Sequence, residues 1–136
     1  MTLKELSQLY YINKEIESDM QRLEELRLAV SSPSSSKISG MPFSGSRINI
    51  TENILAEIIE LESIINNKIN RCVAERARLE RYICGISDSL TRQIFTLRFI
   101  KCFSWRQVAY KLGGGNTADG VRMLCKRYIA KENEKK

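Results

Sequence analysis

The residues of this chain that could bind a ligand do so by electrostatic attraction. They are the excess lysines and arginines near the carboxyl end. Residues 87–136 contain 11 Lys and Arg against 4 Asp and Glu, which gives a net charge of +7. Residues 1–86 contain 11 against 12, which gives −1. Because phosphate groups attract a cationic surface over long range, this imbalance indicates a polyanionic partner for the carboxyl-terminal segment only.

Three short helical patterns carry these charges. The first is predicted over residues 89–101, with Ser87 or Asp88 as its cap. The second begins after Ser104 and ends at the glycines 113–115, which allow the positive φ angles of a sharp turn. The apolar face of this second helix consists of Trp105, Val108, Ala109 and Leu112.

The third pattern is a candidate recognition helix over about residues 117–130, capped by Asn116 or Thr117. The residues predicted to be buried on it are Val121, Leu124, Tyr128 and Ile129. Those predicted to point outward are Arg122, Lys126 and Arg127. Such a helix fits the major groove of B-DNA, while the preceding helix lies across the phosphate backbone. We therefore predict a three-helix helix-turn-helix unit over residues 87–131.

Two sets of side chains are candidate DNA contacts. Those expected to reach base edges are Thr117, Ala118, Asp119, Arg122, Met123 and Lys126. Those expected to contact phosphate are Ser104, Arg106, Gln107, Lys111, Asn116 and Arg127. Arg122 is the first candidate for a base contact, because arginine forms paired hydrogen bonds with guanine. Asp119 either reads cytosine or interacts with the helix dipole, and Arg92 and Arg98 either contact DNA or brace the core.

This segment resembles a known group of DNA-binding proteins. The matching positions are Leu97, Arg98, Phe99, Ser104, Trp105, Val108, Ala109, Leu112, Gly113, Thr117, Val121 and Arg122. It is similar to the promoter-reading C-terminal region of bacterial sigma factors, and more closely to small phage and prophage proteins such as ArpU- and RinA-type late transcription regulators. The resemblance implies a DNA-binding regulator. It also places Ala118 and Met123 where sigma factors carry Arg and Gln, which implies a target other than an ordinary promoter element.

The first 86 residues predict two long helices that pair. A seven-residue rhythm over residues 3–30 combines a column of Leu6, Asn13, Met20 and Arg27 with a column of Leu9, Ile16, Leu23 and Val30. A Ser-rich loop is predicted over residues 31–50 and a second helix over residues 51–84. The apolar stripe of that helix runs through Ile54, Ile58, Leu61, Ile65, Ile69, Cys72, Arg76, Leu79 and Ile83.

Together these patterns predict an all-α protein with a long, coiled-coil-like two-helix hairpin over residues 1–86. The helix-turn-helix unit and a charged tail at 132–136 follow. Antiparallel pairing is favoured, because it needs no long traverse of the loop. Two helices alone bury little surface, so self-association as a homo-oligomer through this region is expected.

Several classes of function are not predicted. The absence of histidine and of any closely spaced pair among the 4 cysteines argues against a metal site, so the cysteines are expected to be small buried side chains. Cofactor, small-molecule substrate and enzymatic activity are not expected, since no catalytic constellation is visible. No apolar run is long enough for a membrane span and no leader is visible, so a cytoplasmic location in a bacterial host is expected. Two alternatives stay open: a DNA-packaging factor like a small terminase subunit, and an RNA polymerase adaptor that binds no DNA.

Overall fold

A computed structural model describes residues 1–31 and 44–136, with the backbone alone for residues 44–48. The described residues are 85% helical and contain no strand, which confirms the all-α class. The greater part of the predicted Ser-rich loop, residues 32–43, lies outside the described residues. None of the described helices has the length and apolar character needed to cross a membrane.

Three helices make up the amino-terminal part of the chain: α1 (Leu3–Leu6), α2 (Gln8–Ser31) and α3 (Ser44–Cys84). The single first helix predicted over residues 3–30 is interrupted at Ser7, whose hydroxyl donates to the Leu3 carbonyl at 2.8 Å and so competes with the regular backbone pattern. The second helix begins at Ser44 and not at residue 51, so residues 44–50 of the predicted loop are helical. Extending a helix past its nucleus adds one hydrogen bond per residue, and no proline follows Pro42 to prevent it.

The carboxyl-terminal helices are α4 (Ser89–Phe95), α5 (Trp105–Leu112) and α6 (Ala118–Glu134). A π-helical segment, Thr96–Ile100, follows α4, so the last turns of the predicted first helix are wider than an α-helix. Asp88, Ser104 and Thr117 are the caps, which decides the alternatives left open by the sequence. Helix α6 continues through Glu134, three residues into the predicted charged tail.

The chain divides into two compact units, and the first comprises residues 1–13 and 71–136. We call its buried cluster the Phe95 core. Its members are Leu6, Leu9, Leu79, Ile83, Ile86, Ile94, Phe95, Phe99, Val108, Ala109, Val121, Cys125 and Ile129. Side chains from α1, α2 and α3 share this core with the carboxyl-terminal helices.

Two burial predictions within this unit are wrong. Leu124 is 37% exposed, and Cys125 takes the core position beside it with 1% exposure. Positions 121, 125 and 129 repeat every four residues and face the core together, which turns residue 124 towards solvent. Cys84 is exposed, although the cysteines were expected to be buried.

The second unit, residues 14–70, pairs the rest of α2 with most of α3. Its core contains Leu23, Leu26, Ile58 and Ile65. Met20 is 53% exposed, so this member of the predicted heptad column does not lie in the seam, and Leu26 is buried. A straight helix with 3.6 residues per turn drifts away from a strict seven-residue repeat, which accounts for the shift. Ion pairs link the helices through Arg22 with Glu57, Arg27 with Glu62, and Lys68 with Asp19 and Glu15.

Candidate DNA-binding surface

The turn between α5 and α6 depends on three consecutive glycines. Gly113, Gly114 and Gly115 have φ angles of 63°, 62° and 77°. Gly113 combines its positive φ with a ψ of −153°, a region that side chains essentially exclude. Asn116 closes the turn, because its Nδ2 donates to the Gly113 carbonyl at 2.7 Å.

Replacing Gly113 with alanine is expected to lower the free energy of unfolding by about 1–3 kcal/mol, since alanine must be strained into that region. Chemical denaturation monitored by circular dichroism measures the change. Gly114→Asn is the comparison within the same turn, because asparagine accepts a positive φ more readily than alanine does. Equal stability of Gly113→Ala and the unmodified chain would show that the turn does not require this conformation.

Helices α5 and α6 are held together by small buried side chains. Val108 and Ala109 of α5 lie in the Phe95 core with Val121 and Cys125 of α6. Burial raises the pKa of the Cys125 thiol to about 12, so this side chain remains neutral and packs as a small apolar group. The inner side of α6 is therefore committed to packing, and only its outer side is available for a ligand.

The first turn of α6 contains a glycine, Gly120, that takes part in the helix cap. The Gly120 amide donates to the Thr117 hydroxyl at 3.0 Å, which caps the helix. A Cβ atom added at Gly120 would lie 3.0 Å from that same hydroxyl oxygen. Glycine at this position thus leaves room for the cap, at some cost in helix propensity. Threonine followed three residues later by glycine is the sequence pattern that indicates this arrangement of the cap.

The outer side of α6 presents most of the predicted base-reading residues to solvent. Asp119, Arg122, Met123 and Lys126 are exposed. Arg122 and Met123 lie three and four residues after Asp119, and Lys126 lies four and three residues after them, so all four share one side of the helix. Asp119 and Arg122 form an ion pair at 3.1 Å. Of the other predicted contacts on this helix, Arg127 is also exposed and Ala118 is half-buried.

The predicted phosphate contacts on α5 divide into two groups. Ser104 and Gln107 form a reciprocal capping box, with hydrogen bonds of 3.2 and 2.9 Å, so both side chains help to start the helix. Arg106 and Lys111 are exposed. The Lys111 ammonium lies 5.9 Å from the centre of the Phe103 ring. These two exposed cations of α5 add to those of α6.

Two other arginines brace the protein itself. The Arg98 guanidinium donates to the Phe103 carbonyl at 2.7 Å and lies 4.7 Å from the centre of the Trp105 ring. It thereby supports the loop before α5, where Cys102 has a φ of 59°. Arg92 donates to the carbonyls of Ile86 and Ser87 at 3.0 and 3.2 Å. Both side chains hold backbone, so the bracing interpretation of Arg92 and Arg98 is the one that the contacts support.

The cations of the carboxyl-terminal segment have few carboxylate partners. Residues 87–136 contain a single ion pair, between Arg122 and Asp119. By contrast, six cations form ion pairs among the described residues before position 87: Lys14, Arg22, Arg27, Lys68, Arg76 and Arg78. No acidic residue occurs between Asp88 and Asp119. An anionic ligand at α5 and α6 would therefore displace few existing interactions.

The comparisons with known proteins give no family for this chain: no protein-family model, curated protein or solved structure matches it. Within residues 1–31 and 44–136, no three His, Cys, Asp or Glu side chains are grouped so that they could hold a metal ion. The assignment of function therefore depends on the charge and exposure of α5 and α6.

Proposed function

We propose that the chain is a sequence-specific regulator of transcription that binds double-stranded DNA and is of phage or prophage origin. In this proposal residues 1–86 form the helical hairpin and residues 87–131 the helix-turn-helix unit. The observation that carries it is a set of exposed cations on α5 and α6 that form no ion pair with the carboxylates of the described residues and include Arg106, Lys111, Lys126 and Arg127. Such a surface matches the phosphate backbone of duplex DNA.

The dimensions of α6 suit the major groove. Its 17 residues span about 25 Å at 1.5 Å per residue, and its width is close to the roughly 12 Å of the groove. Its first turns carry Asp119, Arg122 and Met123 on the exposed side, where a recognition helix reaches base edges. The partial positive charge at the amino terminus of the helix also favours an approach to phosphate.

Arg122 is the residue proposed to read a base, and Lys111 is proposed to contact phosphate. Arg122→Ala is expected to relax preference at one base pair by about 1–3 kcal/mol, because a bidentate contact to guanine is lost. Lys111→Ala is expected to weaken binding to all sequences alike. A sequence-selection experiment followed by binding to selected and random duplexes measures both. Equal losses on the two duplexes for Arg122→Ala would contradict the role proposed for Arg122.

RNA polymerase is proposed as a second protein partner, and this partner defines the main alternative function. An adaptor could bind polymerase without reading DNA. Tyr110, which is 86% exposed on the outer side of α5, favours this candidate, because large exposed aromatic side chains are common in protein interfaces. Absence of binding to any duplex at low salt, together with loss of polymerase binding in Tyr110→Ala, would favour the adaptor over the DNA-binding regulator.

The proposal also includes self-association through residues 1–86 and a bacterial cytoplasmic location. Self-association is supported by large apolar side chains that remain exposed on α2 and α3. Exposed apolar surface of this kind often marks a contact between proteins.

A further inference from the structure

Helix α3 carries a second heptad seam in addition to the apolar side that packs against α2. We define the second seam by five residues of the second unit: Leu55, Ile59, Glu62, Asn66 and Ile69. Their spacings of four, three, four and three residues place them along one face of the helix. Leu55, Ile59 and Ile69 are 44%, 68% and 39% exposed, whereas Ile58 and Ile65 on the adjoining face are buried.

The surroundings of the second seam are almost free of charge. Ala56, Ser63 and Asn70 lie beside the seam and are spaced seven residues apart. Their side chains are exposed, and each is either small or an amide. The charged residues Glu57, Glu60 and Lys68 lie on the other side of the helix. Two carboxylates are the exceptions: exposed Glu52, seven residues before Ile59, and Glu62, which Arg27 of α2 neutralises at 2.9 Å. A helix face that stays in water normally carries charged side chains, so this face has the composition of a buried one.

Helix α2 extends the apolar surface on the same side. Met20 precedes Arg27 by seven residues, so both lie on one side of α2, and Arg27 reaches across to Glu62 of the second seam. Met20 is 53% exposed. The apolar surface thus continues beyond the second seam onto the neighbouring helix, which gives a partner two helices to pack against.

We propose that a second copy of this chain covers the second seam, with the two α3 helices antiparallel. This inference deepens the self-association that forms part of the proposed function. In an antiparallel register centred on residue 64, Ile59 faces Ile69 of the partner subunit, and Glu62 faces Asn66 of the partner subunit. Two-fold symmetry repeats each contact. The seam is thus complementary to itself: apolar residues meet apolar residues, and the Asn66 amide can donate to a carboxylate.

Self-complementarity favours a second copy over an unrelated protein. A different partner would need to supply an amide or hydroxyl donor for Glu62 and apolar groups at matching spacing, whereas a reversed copy supplies both. A polar pair inside an otherwise apolar seam also fixes the register, because slipping the helices by one heptad would bury these groups opposite apolar side chains such as Ile59 and Leu55. Together α2 and α3 of two subunits form a four-helix bundle.

Sedimentation equilibrium of the full chain tests the proposal. The unmodified chain is expected to be dimeric at tens of micromolar. Ile59→Lys is expected to raise the dimer dissociation constant by about a hundredfold or more, because symmetry buries two unpaired ammonium groups. Ile64→Lys is the matched control: Ile64 is 40% exposed on the opposite side of the same helix, and its substitution is expected to leave the dimer intact. A monomeric unmodified chain, or equal effects of both substitutions, would overturn the proposal.

Crosslinking tests the antiparallel register. Chains carrying Glu62→Cys and Asn66→Cys are mixed, oxidised, and mapped by mass spectrometry. An antiparallel dimer gives the mixed 62–66 disulfide, whereas a parallel in-register dimer gives 62–62 and 66–66 disulfides and overturns the proposal. Duplex binding is measured on the same samples. A dimer that binds no DNA would contradict the proposed DNA-binding function but not the dimer contact at the second seam. A monomer that binds DNA would contradict the dimer contact but not the DNA-binding function.

Discussion

Phe95→Ala is expected to lower the free energy of unfolding by about 3–5 kcal/mol, the cost of truncating a fully buried phenylalanine. Phe95 has no exposed surface, and its ring lies 5.3 Å from that of Phe99, 5.4 Å from that of Tyr128 and 6.3 Å from that of Tyr82. Three aromatic neighbours cannot collapse into the space without leaving their own positions, so a cavity remains. Thermal and denaturant unfolding measure the loss.

The control for this substitution is Tyr110→Ala. It also removes an aromatic ring, but Tyr110 is 86% exposed, so the stability is expected to change by no more than about 0.5 kcal/mol. A similar loss for both variants would contradict the position of Phe95 at the centre of the first unit. An intermediate loss at Phe95 with retained cooperativity would indicate that the neighbouring rings rearrange more than their packing suggests.

Replacing Arg106, Lys111 and Arg127 together with glutamine is expected to weaken binding to duplex DNA by about 500-fold at 0.1 M salt. Each phosphate contact contributes about 0.9 to the slope of log affinity against log salt. Loss of three contacts therefore lowers log affinity by about 2.7 at that salt concentration. Fluorescence anisotropy with a labelled duplex measures the change. The slope itself is expected to fall by about 2.7, which separates lost contacts from misfolding.

The matched control replaces Lys14, Arg22 and Arg76 with glutamine. It lowers the net charge by the same amount but removes cations that form ion pairs with carboxylates elsewhere in the chain. Little change in DNA affinity is expected for this variant. If both triple variants lost affinity equally, the binding would follow overall net charge and not the surface of α5 and α6.

The local features of the carboxyl-terminal helices were predictable from the sequence, because each depends on neighbours a few residues apart. Ser104 as a cap, the glycine turn and the outward positions of Arg122 and Lys126 follow from backbone geometry alone. The remaining alternatives at the caps were decided by single hydrogen bonds, such as the one that Asp88 accepts from the Thr91 amide at 2.9 Å. Sequence alone does not rank two adjacent residues that can both accept from that amide.

Features set by distant parts of the chain were not predictable in the same way. The choice of Cys125 over Leu124 for the core depends on the rotation of α6 against α5, and both residues fit the periodicity. The bracing roles of Arg92 and Arg98 depend on loop carbonyls brought near by folding. The packing of Leu6 and Leu9 with the carboxyl-terminal helices also joins segments more than 70 residues apart, which no local pattern can reveal.

The central claim is that α5 and α6 bind duplex DNA through their exposed cations, and a salt titration of the unmodified chain tests it most directly. Five cations on these helices, Arg106, Lys111, Arg122, Lys126 and Arg127, are proposed to contact DNA. Three of them, Arg106, Lys111 and Arg127, are assigned to phosphate, so log affinity is expected to fall against log salt with a slope of about −2.7, which is roughly a 40-fold loss between 50 and 200 mM. Affinity that does not change with salt, or no binding to any duplex at 50 mM, would contradict the claim.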